Sequence, residues 1–302
     1  VGTEHDAVRR ALGQVGAWTF AFDSRKAAQV AADAREIEGL GYTALWVPEG
    51  GGSRDIVGHL SFLLSSTDRI TVASGIANIT ARQPEVLQAG ATLLADAHPG
   101  RLVLGVGVGH EYTTERRGFG WDRPVARTRA YLDQMDAAAE TWPVPEPPVR
   151  RLLAALGDSM LRLSAERALG AHTYFVPPEH TARARGVLGP EPVLAVELTV
   201  VLSPDPEQAR RIARAWTVHY LELPNYAKNW MRLGFSEEDV AGAGSDRLVD
   251  AGVAWGSVED VSARALQHLD AGADHVCIQV ISDDDTDVCL PQLGELAAAL
   301  IA

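Results

Sequence analysis

Eight short, β-rich apolar runs, each followed by a longer stretch of helical periodicity, pace the chain from end to end. No other feature constrains the fold as strongly. The runs are Val15–Phe20, Thr43–Val47, Ile70–Ile76, Leu102–Val106, Leu152–Leu156, Ala171–Val176, Val193–Leu202 and His275–Ile281. Several, such as Leu102-Val-Leu-Gly-Val and Val276-Cys-Ile-Gln-Val, are almost continuously apolar. Strands read this way when both faces are buried, as in parallel sheets covered by helices. Between them, Ser24–Leu40 has Asp23-Ser24 as a candidate N-cap pair and stops at Gly39-Leu-Gly41. Pro84–Ala97 opens with proline in its first turn and ends before Pro99-Gly100. Eight β/α steps without a composition break predict an α/β fold, a (β/α)8 TIM barrel in a single domain spanning 1–302. A doubly wound open sheet is the competing arrangement.

Two stretches interrupt the rhythm. Trp142-Pro-Val-Pro-Glu-Pro-Pro148 reads as a stiff extended connector before the fifth strand. Leu221–Val249 reads as an insertion between strands seven and eight, carrying Pro224-Asn-Tyr226, Trp230, Gly234-Phe235 and a helix start at Ser236-Glu-Glu. Its aromatics serve either as a lid over the barrel mouth or as helix packing.

The composition, 46% hydrophobic and 22% charged with a net charge of −13, is that of a globular chain. The acidic balance argues against a nucleic-acid binder or a polybasic membrane-surface protein. No apolar run reaches the ~20 residues of a membrane span, and Val1-Gly-Thr-Glu-His-Asp lacks a signal-peptide pattern. Cys277 and Cys289 show no CxxC spacing. The expectation is a cytoplasmic, disulfide-free enzyme of small molecules without a metal.

In such a barrel the chemistry sits at the C-terminal strand ends. Candidates there are Glu49 and Gly50-Gly-Gly52, Ala77, Asn78 and Thr80, the run Gly105-Val-Gly107-Val-Gly109-His110-Glu111, Pro177-Pro-Glu-His-Thr181, and Asp283-Asp-Asp285. The glycine run is not a dinucleotide fingerprint, because His110 stands where GxGxxG needs glycine. There is no P-loop and no GxSxG, HxH or HExxH. A Schiff-base barrel needs a lysine at a strand end, whereas Lys26 and Lys228, the only lysines among 27 basic residues, lie elsewhere. The alternating glycines either let a flat ring approach the backbone or only relieve crowding. The acidic loop Asp283–Asp287 reads as solvated, with a hard cation as the sharper option. Glu49, His110 and Glu111 remain as the strongest titratable groups, suited to acid–base work or to structural hydrogen bonding. Pro177–Thr181 reads as a helix N-terminus that holds a phosphate, helped by Arg183 and Arg185, or as an ordinary cap.

At these residues the chain resembles the luciferase-like family of flavin and deazaflavin barrels. Within it, it is most similar to the actinobacterial branch of coenzyme F420-dependent oxidoreductases. The resemblance is carried by Gly41-Tyr-Thr-Ala-Leu-Trp-Val-Pro-Glu-Gly50, Arg69-Ile-Thr-Val-Ala-Ser-Gly-Ile-Ala-Asn78 and His98–His110. Ala154–Gly157 with Met160-Leu161, Gly170–Thr181, Leu223–Tyr226 and Asp250–Val280 extend it over essentially the whole chain. It implies an oxidoreductase that exchanges hydride between F420, or alternatively FMN, and a small organic substrate, and a homodimer. It implies a ring packed on strand three over a non-proline cis bond, placed at Ser74-Gly75, with Ile76 and Asn78 beside it. Gly107, Gly109 and His110 would flank the ring, and the phosphate-bearing tail would fall near Gly157, Val176, His180 and Thr181. His110 would handle the substrate proton while Glu49 orients the ring or the histidine. Some deazaflavin dehydrogenases carry an acidic residue and then histidine after strand two, and glutamate after the strand-four glycines. Here Glu49-Gly50 and His110-Glu111 stand in those places, which implies either exchanged acid and base positions or a different chemistry. An FMN-dependent monooxygenase and a non-catalytic flavin-binding barrel are the alternatives.

Overall fold

The computed structural model describes residues 3–301. Eight principal strands follow in chain order: β1 Val15–Trp18, β2 Ala44–Val47, β3 Thr71–Ser74, β4 Leu102–Gly107, β5 Arg150–Ala154, β6 Gly170–Thr173, β7 Val193–Val201 and β8 His275–Val280. Each pairs in parallel with the next, and β8 pairs with β1 through Val15↔Val276 and Ala17↔Ile278, so the sheet closes. This is the (β/α)8 TIM barrel that the alternation predicts, and closure excludes the open sheet. Two-residue segments extend two strands: Ala77–Asn78 pairs with Val106–Gly107 of β4, and Ala254–Trp255 pairs with the end of β7.

The barrel is filled as its sequence period dictates. Trp18, Trp46, Ala73, Val103, Leu152, Ala195 and Cys277 point inward from successive strands and pack on one another. Residues of the opposite parity, such as Val47, Val72, Leu104 and Ile278, pack against the outer helices. The helix Glu4–Leu12, to which the apolar-run reading assigned no element, drives Val8 and Leu12 into this interior cluster. Hydrogen bonds from Thr71 Oγ1 to Ala11 O (2.7 Å) and from Thr43 Oγ1 to Leu12 O anchor it at the strand starts. The N-terminal end of the barrel is thereby stoppered, and the C-terminal end stays open.

Local differences from the expectations have local causes. The first long helix is Ala27–Gly39, not one capped by Asp23-Ser24. Buried Phe22 draws Ala21–Ser24 into a 3₁₀ turn, while Asp23 Oδ1 accepts from Arg54 N at 3.1 Å instead of capping. The non-proline cis bond is Gly75–Ile76, one residue beyond Ser74-Gly75. Ser74 still belongs to the β3 ladder opposite Val47 and donates its Oγ to Gly105 O (2.8 Å), so the turn falls after it. Between β7 and β8 the chain forms helices Pro206–Leu221, Pro224–Arg232, Glu237–Val240 and Asp246–Gly252 before the returning helix Val258–Asp270. Ser236 does cap Glu237–Val240, in a reciprocal capping box with Asp239. Among the described residues, no helix is long and apolar enough to cross a membrane.

Candidate active site

A cavity of about 570 Å³ opens at the C-terminal ends of β1 to β6, a volume in the usual range for small-molecule sites. Its floor and one wall come from Gly75, Ile76, Asn78, Gly109 and His110 after β3 and β4. The facing wall comes from Tyr174 after β6 and from Tyr220, Asn225 and Tyr226 of the helices that follow β7. Strand-end residues Glu49, Leu156 and Gly157 complete the rim.

The glycine wall exists because side chains are missing. A Cβ on Gly105 would lie 2.0 Å from Ser74 O, so β3 and β4 approach there only as glycine allows. Gly109 has φ +71°, and a Cβ there would meet Asn78 Nδ2 at 2.1 Å. These positions leave a flat face of backbone and Ile76 to a ligand. Asn78 is itself immobilised. Its Oδ1 accepts from Thr80 N (2.9 Å) and Thr80 Oγ1 (2.8 Å), and its backbone N–H donates to Glu49 Oε2 at 2.9 Å.

Glu49 is buried and fully engaged. Arg82 donates to Oε2 through Nη1 at 2.9 Å and to Oε1 through Nη2, a bidentate clamp, and Arg82 also reaches Asp55. Its oxygens are therefore committed to holding the β2 and β3 ends together, and a free base is not offered at this position. His110 is the opposite case. It is half-buried at the N-cap of the helix Glu111–Arg116, and its Nδ1 has no hydrogen-bond partner. Burial pushes its pKa down to about 4, so near neutral pH the ring is uncharged and has a lone pair available. Its ring lies parallel to Tyr112, with centroids 6.0 Å apart, and 5.8 Å from Tyr226.

Of the twelve residues to which the resemblance gives a catalytic or cofactor role, seven meet at this cavity: Glu49, Gly75, Ile76, Asn78, Gly109, His110 and Gly157. The other five lie behind its lining. Ser74 and Gly107 belong to the β3 and β4 ladders directly beneath Ile76 and Asn78. Val176, His180 and Thr181 are buried behind the β5 rim, where His180 Nε2 bonds Leu156 O at 2.8 Å and Thr181 Oγ1 bonds His268 Nδ1 at 2.8 Å. They support the rim loop and do not face the cavity. The N-terminus of the helix Asp158–Arg167, with Gly157 at its N-cap, lies at the cavity with Ser159 on the lining. Arg183 lies beside it, paired with Asp158 at 3.0 Å, and Arg232 Nη1 comes within 3.6 Å of where a Gly157 Cβ would sit. Arg185 turns away to Asp274 and to the carbonyls of Gly272, Gly189 and Pro192.

Several lining groups belong to no sequence motif. Trp18 and His172 form part of the floor, and Tyr174 and Tyr220 part of the far wall. Period-two reading of the first and sixth runs would have pointed Trp18, His172 and Tyr174 inward; nothing in the helical run around Tyr220 marks it. Beneath the floor His172 stacks on Trp46 (4.5 Å, 17°), and burial pushes its pKa down to about 3. Trp46 Nε1 donates to His275 Nε2 at 3.0 Å, which leaves His275 Nδ1 to donate to Gly13 O at 2.9 Å. In the insertion, Trp230 is completely buried as packing, whereas Tyr226 reaches the cavity. The acidic loop is engaged by protein: Asp283 pairs with Arg211, and Asp284 Oδ1 accepts from Thr286 N at 2.9 Å. Among the described residues, no three His, Cys, Asp or Glu side chains cluster as a metal site.

The family model described as luciferase-like monooxygenase matches residues 11–275. A Mycobacterium tuberculosis protein, provisionally named a coenzyme F420-dependent oxidoreductase, is 29% identical over 192 residues, 61% of this chain and 52% of that protein. The chain spans from 29% to 52% of the length of the first curated relatives it matches. Among solved structures, an F420-dependent secondary alcohol dehydrogenase in complex with an F420-acetone adduct superposes with TM-score 0.75 at 14% identity, covering 95% of this chain and 98% of the other. The oxygenating constituent of 3,6-diketocamphane monooxygenase from a Pseudomonas putida plasmid, in complex with FMN, superposes with TM-score 0.69 at 17% identity, covering 95% and 97%. At such identities these structures share the fold.

Proposed function

The chain belongs to the luciferase-like monooxygenase family, and from that premise we propose that it is an F420-dependent oxidoreductase acting on a small organic substrate. The observation that carries the reading is the glycine wall. Gly75 and Gly109 strip one face of the cavity to backbone, and the lone-pair-bearing His110 stands at its edge. A planar tricyclic ring suits such a face, and a Cβ at either glycine would displace the lining residues Trp18 or Asn78. The exposed amides at the Gly157–Ser159 helix start, flanked by Arg232 and the Arg183–Asp158 pair, fit an anionic tail. The name of the Mycobacterium tuberculosis relative supports F420 in preference to FMN.

When bound, the deazaflavin supplies a carbon centre that gives or takes hydride. The chain's own groups do the rest. Ile76, Gly75 and Gly109 hold the ring flat, and the Glu49–Arg82 clamp keeps Asn78 and the wall in register. His110, neutral and on the cavity lining, takes or returns a proton at the substrate. Glu49 thus acts as a positioning residue for the wall.

An anaerobic titration of the purified protein with F420 and, separately, FMN tests the reading, with bound cofactor followed by fluorescence. Saturable F420 binding with weaker FMN binding is expected. Preference for FMN, followed by oxygen uptake coupled to product, would transfer the protein to the monooxygenases. Binding of cofactor without turnover over a broad substrate panel would make it a carrier.

A further inference from the structure

We propose that Tyr220, polarised by Tyr174 and Gln279, reads the substrate, and that the ligand it reads is an uncharged compound carrying a hydroxyl on an apolar body. The word substrate rests on the oxidoreductase reading above; the binding site stands on the following geometry.

Gln279 of β8 is buried, and its Oε1 accepts the Tyr174 hydroxyl at 2.7 Å. A phenol has a single proton, so that of Tyr174 is spent there. The Tyr174 and Tyr220 hydroxyl oxygens are 2.9 Å apart, and the proton between them must therefore come from Tyr220. Burial raises the pKa of both phenols above the ordinary value, which keeps the two protons in place. The relay runs Tyr220 to Tyr174 to Gln279. Tyr220 presents its oxygen to the cavity as an acceptor with no proton to spare. A ligand hydroxyl satisfies that oxygen and leaves the relay intact. A ligand carbonyl takes the Tyr220 proton for itself and leaves the Tyr174 oxygen without its donor.

The charge distribution excludes an anion at this end. The arginines on the lining, Arg183 and Arg232, both stand at the Gly157–Asp158 end. Around Tyr220 the titratable neighbours are Tyr174, Tyr226, Tyr112, His110 and Glu197. Burial keeps His110 uncharged, and Glu197 lies behind Phe175, accepting from Thr199 Oγ1 at 2.6 Å and Phe175 N at 3.0 Å. A carboxylate or phosphate would be desolvated there with no cation to meet it. The body of the ligand instead meets aromatic surface: Tyr226 lies 5.2 Å from Tyr220, and Trp18 5.3 Å from Tyr174, centroid to centroid. His110, 5.8 Å from Tyr226, continues the same arc.

Calorimetric binding of 1-phenylethanol, acetophenone and benzoate to the purified protein tests the relay without relying on turnover. The alcohol should bind about tenfold more tightly than the ketone, the worth of one hydrogen bond, and benzoate should not saturate. In Tyr220→Phe the alcohol should weaken by about tenfold and lose its advantage. In Gln279→Leu the Tyr174 proton turns to Tyr220, whose own proton then faces the cavity, so the preference should reverse toward acetophenone. That reversal is something a merely structural role would not produce. Benzoate binding as tightly as the alcohol, or an alcohol preference unchanged in both variants, would overturn the proposal. Expected probe behaviour in a protein that binds neither F420 nor FMN would sink the oxidoreductase reading and leave the Tyr220 site standing.

Discussion

The two walls of the cavity are built by opposite means. The wall after β3 and β4 is shaped by subtraction: Gly75, Gly105 and Gly109 occur where a Cβ would strike Trp18, Ser74 or Asn78 within 2.5 Å. The wall after β6 and β7 is shaped by addition: Tyr174, Tyr220, Tyr226, Phe175 and Trp216 lean on one another at centroid separations of 4.4 to 6.5 Å. A wall of backbone has one shape and suits a ligand that never changes. A wall of stacked side chains can be re-lined residue by residue and suits whatever the protein must discriminate. The proposed function assigns the cofactor ring to the first wall and the substrate to the second, with His110 where they meet.

The largest effect should come from that meeting point. Replacing His110 by Ala should lower turnover by ~10²–10⁴-fold while leaving cofactor affinity unchanged; steady-state kinetics alongside a cofactor titration check both halves. Unchanged turnover would remove His110 from the chemistry and sever the link between the walls.

Next is the anchor of the backbone wall. Arg82→Met leaves the buried Glu49 carboxylate without its clamp, which should cost about 3–5 kcal/mol, read as a shift in the urea midpoint. A loss within error would mean that Asn78 and the β3 end are held by something else. Gly105→Ala should follow at about 1–3 kcal/mol, because the obstructing atom is the Ser74 carbonyl and cannot swing aside. An equal loss from Tyr226→Phe would erase the distinction between a rigid and a re-linable wall.

Acid sensitivity is shared by both walls and distinguishes neither. His59, His110 and His275 are held down to about 4, and His172 and His268 to about 3, all chiefly by burial. Below the ordinary value of 6.5 the unfolded chain binds protons that the folded chain refuses. Stability should therefore fall as pH drops from about 6.5 toward 4, by up to ~1.4 kcal/mol per pH unit for each histidine. Glu197 opposes this: burial raises its pKa to about 7. It contributes stability below the ordinary carboxylate pKa and loses it as pH rises through 7. Denaturation midpoints between pH 4 and 8 should still rise with pH, since five histidines outweigh one glutamate. A flat profile would show that the histidines accept protons within the folded barrel.

What could be read from the sequence follows the same division. Strand runs and glycines are local signals, so the barrel, all eight strands and the Gly75–Asn78 and Gly109–His110 segments were visible in the chain. Arg150–Ala154 was placed two residues late because its opening arginines look like loop, although Arg150 lies in the ladder and donates to Gly100 O at 3.1 Å. The helix Glu4–Leu12 was missed because its polar face masks the two residues, Val8 and Leu12, that stopper the barrel. The aromatic wall was out of reach for a different reason. Tyr174 and Tyr220 are separated by 46 residues and meet only through the fold. Glu49 showed where it lies but not its engagement, because nothing local announces that Arg82 will close on it.

The most direct test of this division is an anaerobic F420 titration of three proteins side by side: wild type, Gly109→Val and Tyr220→Phe, each confirmed as folded by circular dichroism. Wild type and Tyr220→Phe should give superimposable saturation curves, while Gly109→Val should bind at least about tenfold more weakly. Retained binding in Gly109→Val with loss in Tyr220→Phe, or no saturation by wild type, would contradict the account.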